Sequence, residues 1–574
     1  MFHSQQSMKQ RSRNWFGGQP ECRRWRRGLG AIALLTSLSL AIAPLRAQEN
    51  LEDLLEDFDY WADLCNLQVE ANKYEEALAA CEQGIILEPK DSGIWAEHSG
   101  VLLKLKKYPE AIASARKALS FNEENSLALT YICQSFRGMN QLEKALDACN
   151  QALKLDGSWG TQSPLLAWFY RGVLLAESGQ QEQALIAFER ALLLEPEDSL
   201  ILAYRCGTLT DLKRYDEAIA ICRQALDGNG RWGDFTAALA WSNLGFAHAQ
   251  LKQYDAAIAA YDRAVSINAN DPVIWGRQGL ALEALGRVQE ALTSYERAAA
   301  LKEDYSLAQV GRCTMLNKLE RHEEALAACD LALQGDGTWP DPGPVKAWDQ
   351  RGIALAGQGD YEAALASANR AVGIKPDYID AWGNRSATFW YLKRYEEALA
   401  SAERAIALKP DAARAWFNKG TILRTLGNDA GALNAYDQAL KGDTPLRDRA
   451  MLVNIWANRS AVLWSQGKFA DALTSADEAI ALNPNAAQGW FNRGIALAKL
   501  RRYSEALDAY DRALEIEPDT GYIWSAKGDV LLKLGRFEAA LPALQTAAKL
   551  DPENPVVQAN LAQVQQLLNA GGEQ

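Results

Sequence analysis

The chain has 574 residues, with 73 Asp and Glu against 60 Lys and Arg, a formal net charge of −13. The charges are spread along the sequence rather than run in blocks. That leaves neither the basic patch that dominates affinity for nucleic acid nor a surface suited to anionic membranes.

Residues 1–47 stand apart from the rest. Lys9, Arg11, Arg13, Arg23, Arg24, Arg26 and Arg27 form a basic start, and an apolar stretch runs from Leu29 to Leu45. Leu45-Arg46-Ala47 before Gln48 offers a small-residue cleavage point. This layout predicts a secretory signal peptide and a mature chain beginning near Gln48 in an exported compartment: periplasm, an equivalent lumen or the medium. An uncleaved signal anchor is the alternative, because Arg46 is unwelcome beside a cleavage point. No other segment approaches the roughly 20 apolar residues needed to span a bilayer. Without residues 1–47 the chain keeps 52 Lys and Arg against 72 Asp and Glu, a net charge of −20.

From about residue 52 the sequence repeats every 34 residues. Trp382-Gly-Asn-Arg-Ser, Tyr395-Glu-Glu-Ala398, Ala405 and Pro410 return as Trp416, Ala432 and Ala439, and again as Trp490, Tyr503, Ala506, Ala513 and Pro518. An Ala sixteen after the Trp position marks fourteen copies, from Ala77 and Ala111 to Ala506 and Ala540. Eleven copies open with Trp, from Trp61 in copy 1 to Trp524 in copy 14; copies 3, 5 and 8 have Leu129, Leu202 and Gln309 instead. Trp382, Ser386 and Phe389 fall on one helical stripe, and Leu399, Ala402 and Ala405 on a second beyond the turn at 393–395. Pro then ends the second helix. One such helix–turn–helix hairpin is too small to bury its own apolar face, so the prediction is an all-α solenoid of fourteen stacked hairpins over 48–552, with a capping helix and tail at 553–574.

The order Trp, Leu-or-Arg–Gly, Tyr, Ala, Ala, Pro resembles the tetratricopeptide repeat family over about residues 52–552. The resemblance implies a right-handed superhelix whose concave groove is lined by the first helix of each pair. It also implies a role in holding peptides or partner proteins. One departure is regular: Arg351, Arg385, Lys419, Arg459, Arg493 and Lys527 stand where the family often has Leu. They are read as intercopy salt-bridge or packing residues.

Cys22 lies in the leader, and the other eight cysteines are Cys65 and Cys81, Cys133 and Cys149, Cys206 and Cys222, Cys313 and Cys329. Each pair is sixteen apart, one thiol on each helix of one copy. Other copies show that these two positions face each other, because their sizes compensate: Gly172 with Phe188, Gly420 with Tyr436, Gly494 with Tyr510, but Ser386 with Ala402. Four complete pairs behind an export signal predict four intracopy disulfides. Two thiols per copy would leave a zinc tetrahedron half empty.

Three copies are followed by inserted loops, Leu155-Asp-Gly-Ser-Trp159, Leu226-Asp-Gly-Asn-Gly-Arg-Trp232 and Leu333-Gln-Gly-Asp-Gly-Thr-Trp339; a fourth insertion near 441–453 has no Trp. Trp159, Trp232 and Trp339 are either lids over the neighbouring seam or an exposed aromatic row that stacks on sugar rings or partner side chains. The Asp-Gly pairs lack the run of oxygen ligands that a calcium loop needs.

A residue two after the anchor is rotated about 200° from it and faces away from the hairpin core. In the later copies it is Gln350, Asn384, Asn418, Asn458 and Asn492, with an earlier Asn243. Such an amide column could pair with both N–H and C=O of an extended peptide, with Phe417 and Phe491 adding apolar contact. The alternative is that each Asn bonds its neighbour. Only His98, His248 and His322 follow the leader, in separate copies, and no nucleophile elbow, phosphate loop, Cys-x-x-Cys or metal-spaced His/Glu set occurs. The expectation is therefore a non-enzymatic scaffold that binds proteins or peptides, with no cofactor and no metal. A carbohydrate binder or accessory subunit using the loop tryptophans is the alternative.

Overall fold

The computed structural model describes residues 56–155, 159, 163–233, 236–442 and 449–571; the expected signal peptide lies outside them. Among the described residues there are 29 helices and no strand. They run in hairpins from Phe58–Glu70 with Tyr74–Leu87 to Gly521–Lys533 with Phe537–Leu550, and Pro555–Gly571 follows singly. The chain divides into two compact units, Met1–Leu212 and Lys213–Gln574. Each is an all-α solenoid of stacked hairpins. No helix among the described residues is long and apolar enough to cross a membrane.

The turn inside each hairpin has one design. The residue eleven after the anchor takes a positive φ, as in Lys106 at 59°, Lys393 at 60° and Gly427 at 76°. In copy 2 the Lys107 N–H then donates to the Leu102 carbonyl and the Lys106 N–H to that of Leu103, both at 2.9 Å, which satisfies the last carbonyls of the first helix.

The core of every hairpin is alanine. The Ala sixteen after the anchor is 0 % exposed in all fourteen copies, which is how the two helices approach closely. The facing slot behaves as its size compensation predicts. A Cβ on Gly172 would lie 2.5 Å from the Phe188 ring, and one on Gly494 2.4 Å from the Tyr510 ring. In the Ser copies the hydroxyl donates across the slot instead: Ser99 to the Ala111 carbonyl and Ser386 to that of Ala398, both at 2.8 Å. Cys65–Cys81, Cys133–Cys149 and Cys313–Cys329 fill the same slot as disulfides, with Cα atoms 5.3 Å apart in each. Cys206 and Cys222 are fully buried at the matching positions.

In copies 2, 7, 10, 11, 13 and 14 the anchor Trp bonds the turn before it. The indole N–H of Trp95, Trp382 and Trp490 donates to the carbonyl six residues earlier, at Pro89, Pro376 and Pro484. Gln309 makes the same bond with its amide, to Glu303 at 2.8 Å, and so does Gln558 of the last helix, to Pro552 at 2.9 Å. Where copy 3 has Leu129 instead, Trp159 of the inserted loop packs with Leu129, Ala152 and Ala167. Trp339 packs likewise with Val310, Ala332 and Ala347 beside Gln309. Trp159, Trp232 and Trp339 are all half-buried, the first and third against the two clusters just described. Asp336 of the third loop accepts from the Ser306 N–H at the start of a first helix and from Thr338, and pairs with Lys302. Its carboxylate thus serves as a helix cap.

Candidate functional site

Within each unit consecutive first helices touch one another, whereas consecutive second helices do not among the described residues. First helices are therefore the closely spaced set and line the inner face. The column two after the anchor lies there, and in the second unit the amides join neighbours. Asn418 Nδ2 donates to the Gly383 carbonyl at 2.9 Å and Asn492 Nδ2 to that of Ala457 at 2.7 Å. Asn384 Nδ2 donates to the Asp349 carboxylate at 2.7 Å. Gln350 accepts from Asn317 Nδ2, at 2.8 Å through its backbone carbonyl and 3.2 Å through its side chain. Asn458, which follows an insertion, bonds its own helix at Asn454.

One end of each of these amides is thus committed within the protein. Asn384 and Asn418 keep an Oδ1 that makes no hydrogen bond with a described residue. Asn492 is 1 % exposed, and its Oδ1 accepts from Gln488, so both ends are used. Phe491 is half-buried and packs edge-on against Tyr522, with ring centroids 4.7 Å apart.

A depression of about 330 Å³ opens on this face in copies 10–12. It brings together three residues of the amide and aromatic columns, Asn384, Asn418 and Phe417. Gly383 and Ala387 are its small residues, Met451 adds an apolar wall, and Arg414 and Asn454 add polar groups. Gln350, Asn458, Asn492 and Phe491 lie outside it. Arg414 makes no hydrogen bond or ion pair with a described residue. Sequence reasoning missed Arg414 and Asn454. Both stand four residues before a column residue, so the i, i+4 rule for one helix face would have found them.

Asp349 lies on the neighbouring first helix, 2 % exposed. Burial pushes its pKa up to about 6, against the hydrogen bond from Asn384 and the charge of Arg414. Towards the start of this unit, Lys346 of copy 9 pairs with Glu283 of copy 7 at 2.8 Å, and Tyr295 also donates to Glu283.

The residue after the amide has a different task. Arg351, Lys419, Arg459, Arg493 and Lys527 each reach a carboxylate on the second helix of the preceding copy, at 2.5–2.9 Å. Each cation also lies over its own anchor Trp, 5.2–5.8 Å from the ring. Single exposed pairs contribute at most about 1 kcal/mol; a ladder of them fixes the register of successive copies.

Family models described as tetratricopeptide repeat match residues 63–126, 165–198, 238–271, 277–342, 345–378, 387–447 and 460–520, and one described as TPR repeat matches 528–569. The chain belongs to the tetratricopeptide repeat (TPR) family. Among solved structures, this TPR chain is similar to the APC/C hetero-tetramer Cut9-Hcn1, at 16 % identity over 88 % of this chain and 96 % of that one, TM-score 0.42. It is also similar to YrrB, a TPR protein described as having an unusual peptide-binding site, at 20 % identity over 33 % of this chain and 96 % of that one, TM-score 0.29. A third is a TPR protein from Parabacteroides merdae, at 15 % identity over 45 % and 98 %, TM-score 0.37. A comparison with curated proteins found no match.

Proposed function

We propose that this TPR chain is a non-enzymatic scaffold that holds an extended segment of a partner polypeptide along the inner face of copies 10–12. The observation that supports the reading is the depression where the Oδ1 atoms of Asn384 and Asn418 and the Arg414 guanidinium, none hydrogen-bonded to a described residue, meet the apolar Phe417 and Met451. Carbonyl oxygens accept from backbone N–H groups, and a guanidinium donates to a backbone carbonyl or a carboxylate. Together they satisfy both polar groups of an extended chain. Gln350, Asn458, Asn492 and Phe491 extend the same face, and we assign them the shaping of it.

The compartment is part of the proposal. Residues 1–47 act as an export signal, and the mature protein works in periplasm, a lumen or the medium. Three disulfides bonded within their copies are compatible with that address, and we assign Cys206–Cys222 as the fourth. Co-purification from the native compartment tests the groove. The variant Arg414→Ala with Phe417→Ala should lose about tenfold or more in partner affinity. Because Phe417 also packs against the Tyr436 cluster, Arg414→Ala alone, at an exposed residue, should keep the fold and still weaken binding. Retention of every partner at parental affinity would move the site elsewhere.

A further inference from the structure

The first unit carries a different inner column. The position two after the anchor is Asp63 in copy 1, then Glu97, Tyr131, Tyr170 and Tyr204, on the first helices Ser92–Lys104, Ser126–Gly138, Leu165–Glu177 and Ser199–Asp211. Tyr131 lies against Gly100 of the preceding first helix, where a Cβ would meet its ring at 2.8 Å and its hydroxyl at 3.0 Å. Glu97 sits one turn before Gly100 on that same helix, and its charge acts on Tyr131.

Glu97 is half-buried and makes no hydrogen bond or ion pair with a described residue; the Tyr131 hydroxyl has no partner either. Burial alone pushes the Glu97 carboxyl up to about 7. A carboxylate drawn partly out of water gains from a donor that replaces the lost hydration. Glu283 in the second unit has two, Lys346 and Tyr295. In the first unit Arg137 is held by Glu177 through both Nε and Nη2. What Glu97 lacks is a cation, and what stands beside it is an aromatic ring. Those are the two halves of a site for a basic group, one for charge-assisted hydrogen bonds and one for the cation's face-on contact with a ring.

We propose that Glu97 and Tyr131 form a subsite that binds the arginine or lysine side chain of a partner polypeptide. The polypeptide source follows from two features. Tyr170 and Tyr204 continue the row beyond Tyr131 at the same repeat position, one ring on each successive first helix, which suits a chain that extends past the subsite. The chain beyond residue 47 carries net charge −20, which draws basic segments by long-range attraction. The subsite does not depend on the groove of copies 10–12.

The test uses the full chain and saturation-transfer NMR on capped nine-residue Gly-Ser peptides with arginine, norleucine or glutamate at the centre, and on ethylguanidinium. The arginine peptide should bind at least about tenfold more tightly than the norleucine peptide, and its side-chain methylenes should receive the saturation. Glu97→Gln should remove that advantage. It deletes an unpartnered charge and should fold at least as well as the parent. Glu110→Gln, an exposed change on the second helix of the same copy, should leave binding unchanged, which separates a site from bulk charge. Tyr131→Phe keeps the ring and should keep binding. Equal binding of the norleucine peptide, or no effect of Glu97→Gln, would overturn the subsite. Ethylguanidinium binding as tightly as the peptide would overturn its assignment to a polypeptide. Neither result bears on Arg414 and Phe417, so this subsite and the groove fail separately.

Discussion

The inner faces of the two units use the same repeat position but different contacts. In the first, the Tyr131 ring rests on Gly100, and Glu97 beside it has no donor among the described residues. In the second, Asn418 and Asn492 donate to backbone carbonyls of the preceding first helix, and the next residue clamps a carboxylate on the preceding second helix. A ring-on-helix contact needs a glycine in the neighbour. An amide-to-backbone contact needs only a carbonyl, which every residue supplies. The second device therefore requires no matching side chain in its neighbour. Of the column's amides, Asn384 and Asn418 keep an Oδ1 that bonds no described residue, whereas Asn492 uses both ends.

The largest expected effect isolates the covalent bond from the packing of the slot. Cys133→Ser with Cys149→Ala installs the pair that Ser99 with Ala115 and Ser386 with Ala402 use natively. The slot stays filled, so urea denaturation should report only the lost loop constraint, about 3 kcal/mol for a loop of this length. A loss below about 1 kcal/mol would mean that the bond adds little beyond packing.

Much of this was legible beforehand. The period fixed the hairpins, and size compensation between Gly494 and Tyr510 or Ser386 and Ala402 identified a facing slot that the cysteines share. The direction of the amide column was also readable, since it follows from helical geometry. What the amides bond was not. Their acceptors are backbone carbonyls 35 residues earlier, at Gly383 and Ala457, and a carbonyl leaves no mark in a sequence. The role of Trp159 was half legible: the loop and the missing anchor at Leu129 were both visible, but not that one ring covers the place of the other.

A smaller effect sharpens the contrast between Glu97 and Glu283. Folding raises the Glu97 pKa from about 4.5 to about 7, so the penalty grows as pH rises through that window and stays constant above it. Glu97→Gln removes it. The variant should match the parent at about pH 4 and exceed it at about pH 8, by under about 1 kcal/mol because the group is only half-buried. A variant less stable than the parent at the higher pH would mean that Glu97 has a donor within the chain.

The central claim is that the inner face of copies 10–12 holds an extended partner segment. A photo-crosslinking amino acid placed at Ala387, inside the depression, tests it in the native compartment. The control is the same amino acid at Glu396, exposed on the second helix of copy 10. The account predicts adducts from position 387 that map by mass spectrometry to one contiguous segment of a partner, and none from position 396. Adducts from 396 with none from 387 would contradict it.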